Sequence, residues 1–152
     1  MSPKTQMLEQ ISVFLENRKG RLREACQCLA EAGLNLVALS LADTTDFGIL
    51  RVIVNDPDKA QAELKAKAFT TARTDVLAVE VDDRPGGLAR LLSAIDQSNL
   101  NVEYMYAFNE KRQDKAVLIF RFEHPDEAAQ ALSRAGVNVL SHIELFDSVK
   151  AN

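Results

Sequence analysis

Two stretches of the chain alternate apolar and polar positions with a period of two residues, and each is followed by a break that contains glycine. The first stretch is Met7–Glu16 and the second is Leu77–Val81. Alternation of this kind is typical of a strand with one buried face. After the breaks at Asn17–Gly20 and Asp83–Gly87, apolar residues recur every three or four positions, which predicts a helix.

The rest of each half continues in the same way, so each half is predicted to have the order β-α-β-β-α-β. In the first half, a helix stops at Gly33 and is followed by strands, a second helix and a short final strand, at Leu34–Ala42, Phe47–Val54, Asp58–Ala68 and Phe69–Arg73. In the second half, the predicted elements after Leu77–Val81 are Gly87–Gln97, Leu100–Phe108, Ala116–Phe122, Pro125–Ala135 and Gly136–Leu140. Ser141 and Glu144 have the spacing of a capping box and predict a short C-terminal helix.

The two halves are related by an internal repeat. Asn17–Leu22 lines up with Asp83–Leu88 at an offset of 66, and Leu34–Leu36 lines up with Leu100–Val102 at the same offset. Further on the offset becomes 68, and the two extra residues fall in the turn Asn109–Asp114, because hairpin turns tolerate insertions. Self-similarity over nearly the whole chain indicates two copies of one module.

The predicted fold class is α+β, with two ferredoxin-like βαββαβ modules at residues 1–74 and 75–152. Each module is expected to form an antiparallel sheet with its helices on one face. Ala116–Phe120 is apolar on both faces, which is typical of a strand buried on both sides. The other half of the chain or a second copy of it is expected to cover the second face, and both kinds of contact are predicted.

Composition narrows the class of protein. The 152 residues carry a net charge of −4 and contain no basic block, which disfavours a nucleic-acid partner. No apolar run approaches the roughly 18 residues of a membrane span, so no membrane partner is expected. The first residues lack the apolar centre of a signal peptide, which favours a cytoplasmic protein. Cys26 and Cys28 point to different helix faces, with Cys26 predicted in the core and Cys28 nearer the surface.

Motifs for catalysis, metals and cofactors are missing. His124 and His142 are the only histidines, and neither forms a Ser-His-Asp, Cys-His or metal-ligand pattern. No phosphate-binding loop of either common type is present, so the prediction is a protein that is not an enzyme and has no cofactor or metal. The remaining candidate is the break Asp83–Gly87, where a helix begins with unpaired N–H groups that suit a carboxylate. A plain tight turn is the alternative explanation.

The motif Asp83-Arg84-Pro85-Gly86-Gly87-Leu88, a helix, and Asn101 entering the next strand resemble the ACT domain, a small regulatory module that binds amino acids. The first half is similar in layout, but it has Lys19 in place of proline and Arg21 in place of the second glycine. The resemblance covers both halves, so the chain looks like a free-standing tandem ACT protein.

The resemblance implies a ligand, often an amino acid, at the junction of paired modules near the loop after the first strand. It implies that Gly86 and Gly87 let the backbone approach the ligand and that N–H groups from Gly86 to Leu88 hold its carboxylate. Asp83 or the side-chain oxygen of Asn101 would accept from its ammonium group. The full set of implied ligand-binding positions is Asp83, Arg84, Pro85, Gly86, Gly87, Leu88 and Asn101, with Asn17, Gly20, Arg21, Leu22 and Asn35 at the matching positions of the first half.

Several alternatives stay open at the level of sequence. One pair of alternatives concerns Arg21: either it supplies a positive charge to a site shared by the two halves, or the first half has no ligand site equivalent to that of the second half. A second alternative is that Asn35 and Asn101 form hydrogen bonds with backbone groups near helix ends and do not bind a ligand. Tyr104, Tyr106 and Phe108 share a strand face and either line an apolar pocket or belong to the core or an interface.

Three functions follow as hypotheses. The first is a homodimeric amino-acid sensor. The second is a regulatory subunit of an amino-acid biosynthetic enzyme, such as the small subunit of acetolactate synthase, that acts through protein contacts. The third is a small enzyme on a ferredoxin-like scaffold, for which no cluster of titratable residues can be assembled.

Overall fold

The structure is a computed structural model that describes residues 7–43, 46–109 and 113–150, with only the backbone of residues 148–150. The strands are β1 (Met7–Glu16), β2 (Leu36–Asp43), β3 (Phe47–Val54), β4 (Thr70–Asp82), β5 (Val102–Ala107), β6 (Lys115–Phe122) and β7 (Val139–Leu140). The helices are α1 (Arg21–Glu31), α2 (Pro57–Ala66), α3 (Gly87–Gln97), α4 (Pro125–Arg134) and α5 (His142–Lys150). The turns predicted at Asp43–Asp46 and Asn109–Asp114 lie partly outside the described residues, as do the first six residues.

The predicted elements are confirmed in type and order, with one change at the middle of the chain. The strand predicted at Phe69–Arg73 and the strand predicted at Leu77–Val81 are parts of one strand, β4. Thr74 and Asp75 do not form a break, because neither is a glycine or a proline and nothing else there prevents an extended backbone.

The chain divides into two compact units. One is Glu9–Thr74, and the other begins at Asp75 and includes Met7 and Leu8. The module boundaries predicted from the repeat, 1–74 and 75–152, stay a prediction.

In the first unit, β3 lies between β2 and β1, and both pairs are antiparallel. Ile11 and Leu39 both pair with Val52, so their side chains share one face of the sheet. Helices α1 and α2 pack side by side. The core lies between the helices and the sheet and includes Val13, Leu29, Leu50, Leu64 and Phe69.

In the second unit, β4 lies between β6 and β7, and β5 pairs with β6 on its other side. The order β7-β4-β6-β5 with antiparallel pairs is that of the split βαβ, or ferredoxin-like, unit. Its core is built from the strands and from the inner faces of α3 and α4, including Leu77, Ile95, Phe120, Phe122 and Leu132.

The repeat extends to residues with positive φ, which mark corresponding turns. In order along the chain, the pairs are Gly20 and Gly86 (φ 86 and 87°), Gly33 and Asn99 (76 and 56°), and Ala68 and Gly136 (65 and 81°). The first two pairs keep the offset of 66 and the third has 68, as the sequence alignment predicts. Positive φ, which is rare for residues other than glycine, therefore recurs at corresponding positions of the two halves.

The predicted helix faces need correction. Cys28 is buried and Cys26 only partly so, the reverse of the prediction, because α1 turns Ala25, Cys28 and Leu29 toward the sheet. Burial raises the pKa of both thiols.

The spacing of Leu88, Leu91, Leu92 and Ile95 predicts one apolar face for α3, but the sheet-facing residues are Gly87, Leu91 and Ile95, so Leu88 and Leu92 are exposed. The capping box of α5 is confirmed. The Ser141 N–H donates to Glu144 Oε1 at 3.1 Å, and the Glu144 N–H donates to Ser141 Oγ at 3.2 Å.

Candidate functional site

The loops after β1 and β4 have the same backbone plan. In each, the strand ends, the chain turns through a glycine with φ near +87°, and a helix begins at the next residue. Gly20 and Gly86 are the N-caps of α1 and α3, and no side chain makes a capping hydrogen bond at either. No capping side chain satisfies the first N–H groups of either helix, although those of Arg21 and Gly87 bond to carbonyl oxygens within their loops.

Gly87 has a structural reason to be glycine. A Cβ at this position would overlap the carbonyl oxygen of Asp82, so the start of α3 approaches the end of β4 more closely than a side chain permits. The Gly87 N–H also donates to the carbonyl oxygen of Arg84 at 3.0 Å. One of the three N–H groups assigned to a ligand carboxylate is thus already bonded within the loop.

The loop after β4 borders an open cavity of about 390 Å³. Its lining carries both signs of charge and consists of Asp82, Asp83, Arg84, Asp114 and Lys115. A neighbouring cavity of about 370 Å³ shares Asp82 and Lys115 and reaches Gly87 and Arg90 at the start of α3. Side chains of both charges lie together here, an arrangement that suits the ammonium and carboxylate groups of a zwitterion.

Asp82 and Lys115 form an ion pair that stabilises the charged form of each side chain. They are register partners on β4 and β6, and their side chains form an ion pair that Arg84 Nη2 joins at 3.2 Å from Asp82 Oδ2. The hydrogen bond from Lys115 lowers the pKa of Asp82, and the same bond raises the pKa of Lys115. Both groups are charged at neutral pH, and both face solvent.

The loop after β1 borders a smaller cavity of about 220 Å³ with a different lining. It combines predicted site positions with residues of the hairpin β2–β3 and is formed by Leu15, Glu16, Asn17, Arg18, Arg21, Leu22, Leu41, Asp43, Phe47 and Gly48. Apolar and charged side chains both line this cavity, whereas the 390 Å³ cavity of the second unit has only charged residues in its lining.

Arg21 is held by its own neighbours. Its side chain is 11% exposed, its Cζ lies 3.8 Å from the centroid of the Phe69 ring, and its Nη1 donates to Glu24 at 3.0 Å. Its Nε lies 3.0 Å from Glu16 Oε2 without the alignment of a hydrogen bond. The Arg21 bond is the main cause of a lowered Glu24 pKa. The positive charge assigned to a ligand is therefore already matched by two carboxylates.

Asn35 and Asn101 lie far from the glycine loops of their own units. Leu36, next to Asn35, pairs with Val54 at one end of β3, whereas Glu16 pairs with Phe47 at the other end. Eight residues of strand separate these ends by about 20 Å.

The second unit repeats the arrangement. Val102 pairs with Phe122, and Asp82 pairs with Lys115 at the opposite end of β6. The Asn101 amide donates to Glu123 at 3.4 Å. A small ligand on the glycine loop of either unit does not reach the asparagine of that unit.

Sequence reasoning missed the residues that the hairpins bring to the loops. Leu41, Asp43 and Phe47 line the first cavity, and Asp114 and Lys115 line the second. The signal was present in the fold class, because the strand that follows the hairpin turn pairs with the end of the first strand. Tyr106 and Phe108 are buried, but neither belongs to the core that the strands form with α3 and α4, and neither lines the cavities beside the loop after β4.

The described residues also bear on metal binding and on membrane insertion. Among residues 7–43, 46–109 and 113–150, no group of three or more His, Cys, Asp or Glu side chains is placed to hold a metal ion. Within the same ranges, no helix has the length and apolarity needed to cross a membrane.

Comparison with known proteins identifies relatives for the whole chain. The sequence model of the ACT domain pair matches residues 6–148. A crystal structure of protein BT0572 from Bacteroides thetaiotaomicron is 38% identical, with a TM-score of 0.86, over 93% of this chain and 96% of that chain. No curated protein sequence matches the chain.

More distant structures share the fold. The ligand-free regulatory subunit of aspartate kinase from Thermus thermophilus is 16% identical, with a TM-score of 0.59, over 84% of this chain and 91% of that chain. The corresponding subunit from Thermus flavus is 17% identical, with a TM-score of 0.56, over the same shares. At this identity the likeness concerns the fold alone.

Proposed function

The chain belongs to the ACT domain pair family, and from this premise we propose that it is a non-catalytic regulatory protein that binds a free amino acid at its glycine loops. Domain pairs of this kind are typical of regulatory proteins that bind small molecules such as amino acids. The observation that carries the proposal is the uncapped start of α3 beside a cavity that presents both acidic and basic side chains.

Roles for the loop after β4 follow from charge and position. The Leu88 N–H at the helix start, with Arg84 or Arg90 beside it, would bind the carboxylate of the ligand, since a helix N-terminus favours a negative charge. Asp83 or Asp114 would accept from its ammonium group. Pro85 and Gly86 would act through the backbone, because they set the turn that aims the N–H groups.

A binding measurement with two matched glycine variants tests the proposal. Gly86 and Gly33 both have positive φ, so alanine at either carries the same kind of backbone penalty, and at Gly86 the new Cβ also meets Arg90 Nη1, the far end of a flexible side chain, at 2.9 Å. A saturating amino acid stabilises the wild type, by ~2.7 kcal/mol at about 100 times its Kd. Gly86→Ala is expected to weaken that binding at least about tenfold, a loss of roughly 1.4 kcal/mol, whereas Gly33→Ala leaves Kd unchanged.

The proposal fails if none of the common amino acids raises the unfolding midpoint of the wild type. It also fails at this loop if Gly86→Ala and Gly33→Ala bind equally well.

A second candidate is a regulatory subunit that acts on an amino-acid biosynthetic enzyme through protein contacts. Exposed large apolar side chains on the hairpin β2–β3 favour it, namely Leu39, Leu41 and Phe47. The aspartate kinase subunits are described as regulatory, and they share the fold. Affinity purification from native cells that recovers the wild type with an enzyme, and the Leu39→Asp variant without it, would support this candidate. Recovery of the chain alone would count against it.

A homodimer in the cytoplasm completes the proposal. Cys26 and Cys28 are both free thiols, as is usual where the medium keeps cysteines reduced. Sedimentation of the full chain at several concentrations tests the dimer, and a mass of one chain at every concentration would refute it.

A further inference from the structure

We propose that the cavity beside the loop after β1 holds a free amino acid with an apolar side chain. This inference rests on the proposed function and names the class of ligand. It adds a ligand of this class at the loop that departs from the family motif, besides the ligand proposed for the loop that matches it.

Three of the four leucine and phenylalanine side chains that line this cavity are also exposed. Leu22, Leu41 and Phe47 are 40, 53 and 38% exposed, and Leu15 lies buried beside them. Leu41 pairs with Leu50, a core residue, so its side chain is on the helix-covered face of the sheet, at the edge strand where cover is incomplete. Covering this apolar surface with a hydrocarbon side chain is favourable.

The Phe47 ring, which belongs to a cavity-lining residue, packs against a second aromatic ring. It meets the Phe14 ring edge to face, with 5.9 Å between the centroids. An edge-to-face contact of this kind restrains the Phe47 ring beside the cavity.

Opposite charges stand at the mouth of the same cavity. Arg18 is 52% exposed, and its nitrogens lie 3.4 and 3.6 Å from the carboxylates of Glu24 and Glu16, at the long end for ion pairs. Asp43 also lines the cavity and forms no ion pair with any described residue. A ligand carboxylate would give Arg18 a closer partner, and a ligand ammonium group would pair with Asp43.

The size of the cavity agrees with a small zwitterion. About 220 Å³ is below the roughly 300–1,000 Å³ of pockets for drug-sized ligands. A molecule as small as one amino acid therefore fills it.

The loop after β4 lacks the apolar wall. Phe47 pairs with Glu16, and at the matching positions of the second unit Lys115 pairs with Asp82. Leu41 has Ala107 as its counterpart at the offset of 66. The apolar specificity thus belongs to the first unit.

Isothermal titration of the full chain with leucine, methionine and phenylalanine, against aspartate and lysine, tests the inference. The apolar amino acids are expected to bind at least tenfold more tightly than the charged ones. N-acetyl-leucine, which lacks the ammonium group, is expected to lose at least tenfold, and Asp43→Asn is expected to show a similar loss with leucine.

Two variants of one strand provide the matched control. Leu41→Asp removes part of the cavity wall, whereas Leu39→Asp changes a side chain on the same face of β2 that is 43% exposed and lies outside the cavity lining. Leucine affinity is expected to fall at least tenfold in the first variant and to stay unchanged in the second. Equal urea midpoints of the two variants show that folding does not account for the difference.

The remaining outcomes separate the inference from the proposed function. If amino acids bind but lose affinity in Gly86→Ala and not in Leu41→Asp, the inference is overturned and the proposed function stands. If no amino acid binds, both fail. If the wild type self-associates without ligand and Leu41→Asp does not, a second copy covers the cavity wall and the inference is wrong.

Discussion

The loop after β1 and the loop after β4 share a backbone and differ in where their charges go. Gly20 and Gly86 have φ values of 86 and 87°, so the turn itself is the same. The next residue is Arg21 in one loop and Gly87 in the other. The N–H of Arg21 lies 3.4 Å from the Arg18 oxygen, and the N–H of Gly87 lies 3.0 Å from the Arg84 oxygen. Where a side chain replaces glycine, the turn is slightly more open.

The comparison shows that the same backbone turn can be combined with two different arrangements of charged side chains. In the first loop, the largely buried Arg21 pairs with Glu16 and Glu24, and leucine and phenylalanine residues join the charged ones in the cavity lining. In the second loop, Lys115 takes the position of Phe47, and the charges stay at the cavity surface. A repeated backbone therefore does not imply a repeated ligand.

The largest expected effect comes from giving the second loop a side chain. Gly87→Ala places a Cβ against the carbonyl oxygen of Asp82, and the start of α3 must move to relieve the overlap. We expect a loss of about 3 kcal/mol in the free energy of unfolding, measured by urea denaturation.

Gly136→Ala is the control for this change, because a Cβ there meets no atom within 4 Å and only its positive φ is penalised. A loss no greater in Gly87→Ala than in Gly136→Ala would show that the close approach does not restrict position 87.

The next effect tests the arginine that distinguishes the first loop. Arg21→Ala removes the contact with the Phe69 ring and leaves Glu16 and Glu24 without their main partner. We expect a loss of about 2 kcal/mol, since the guanidinium is largely desolvated. Arg18→Ala, at an exposed position with longer contacts, is expected to cost less than about 0.5 kcal/mol. Similar midpoints for the two variants would contradict the structural role of Arg21.

The repeat allowed much of this fold to be predicted from sequence. The bounds of β1, β3 and α3 agree with the predicted ones, and the positive-φ residues recur at the predicted offsets. These features depend on local signals, namely glycine breaks and periodic apolar residues, which single stretches of sequence contain.

The errors arose where burial depends on what packs above a helix. Leu22 and Leu88 continue apolar faces by spacing, but each lies in the first turn of its helix, where a neighbouring residue faces the sheet. The side chain that enters the core in α1 is that of Cys28, not Cys26, because the inner face passes through Ala25 and Leu29. The spacing of apolar residues locates the buried face of a helix to within one residue, and the packing of the helix on the sheet decides which side chains are buried.

The candidate site was predicted in part for a similar reason. The glycine loops are local, so sequence located them, whereas Leu41, Phe47 and Lys115 reach the loops only through strand register. Register also separates Asn35 and Asn101 from the loops, since β2 and β5 begin at the opposite end of their sheets. The predicted order β-α-β already implied this separation, because the helix returns the chain to the end of the sheet at which the first strand begins.

A smaller effect comes from one more difference between the halves. Ala68 and Gly136 occupy matching turns with positive φ, at which alanine costs roughly 1–2 kcal/mol relative to glycine. Glycine loses more entropy on folding, so Ala68→Gly is expected to gain about 0.5–1 kcal/mol, and Gly136→Ala to lose a similar amount. Urea midpoints of the two single variants check both signs, and a destabilised Ala68→Gly would show that the turn carries no strain.

The smallest expected effect concerns acid stability, where each loop holds one carboxylate with a lowered pKa. Arg21 lowers the pKa of Glu24, and Lys115 lowers that of Asp82. A folded-state pKa below the unfolded value means that the stabilisation is complete above the unfolded pKa, near 4, and is lost as the pH falls through the folded pKa. Lys115→Met should therefore raise the Asp82 pKa in an NMR titration and flatten the loss of stability below about pH 4, whereas Lys115→Arg, which keeps the charge, should retain both. The pKa of Glu24 should be the same in the wild type, Lys115→Met and Lys115→Arg, because Glu24 pairs with Arg21 of the other loop. A shift of the Glu24 pKa in Lys115→Met would show that the charges of the two loops are not independent.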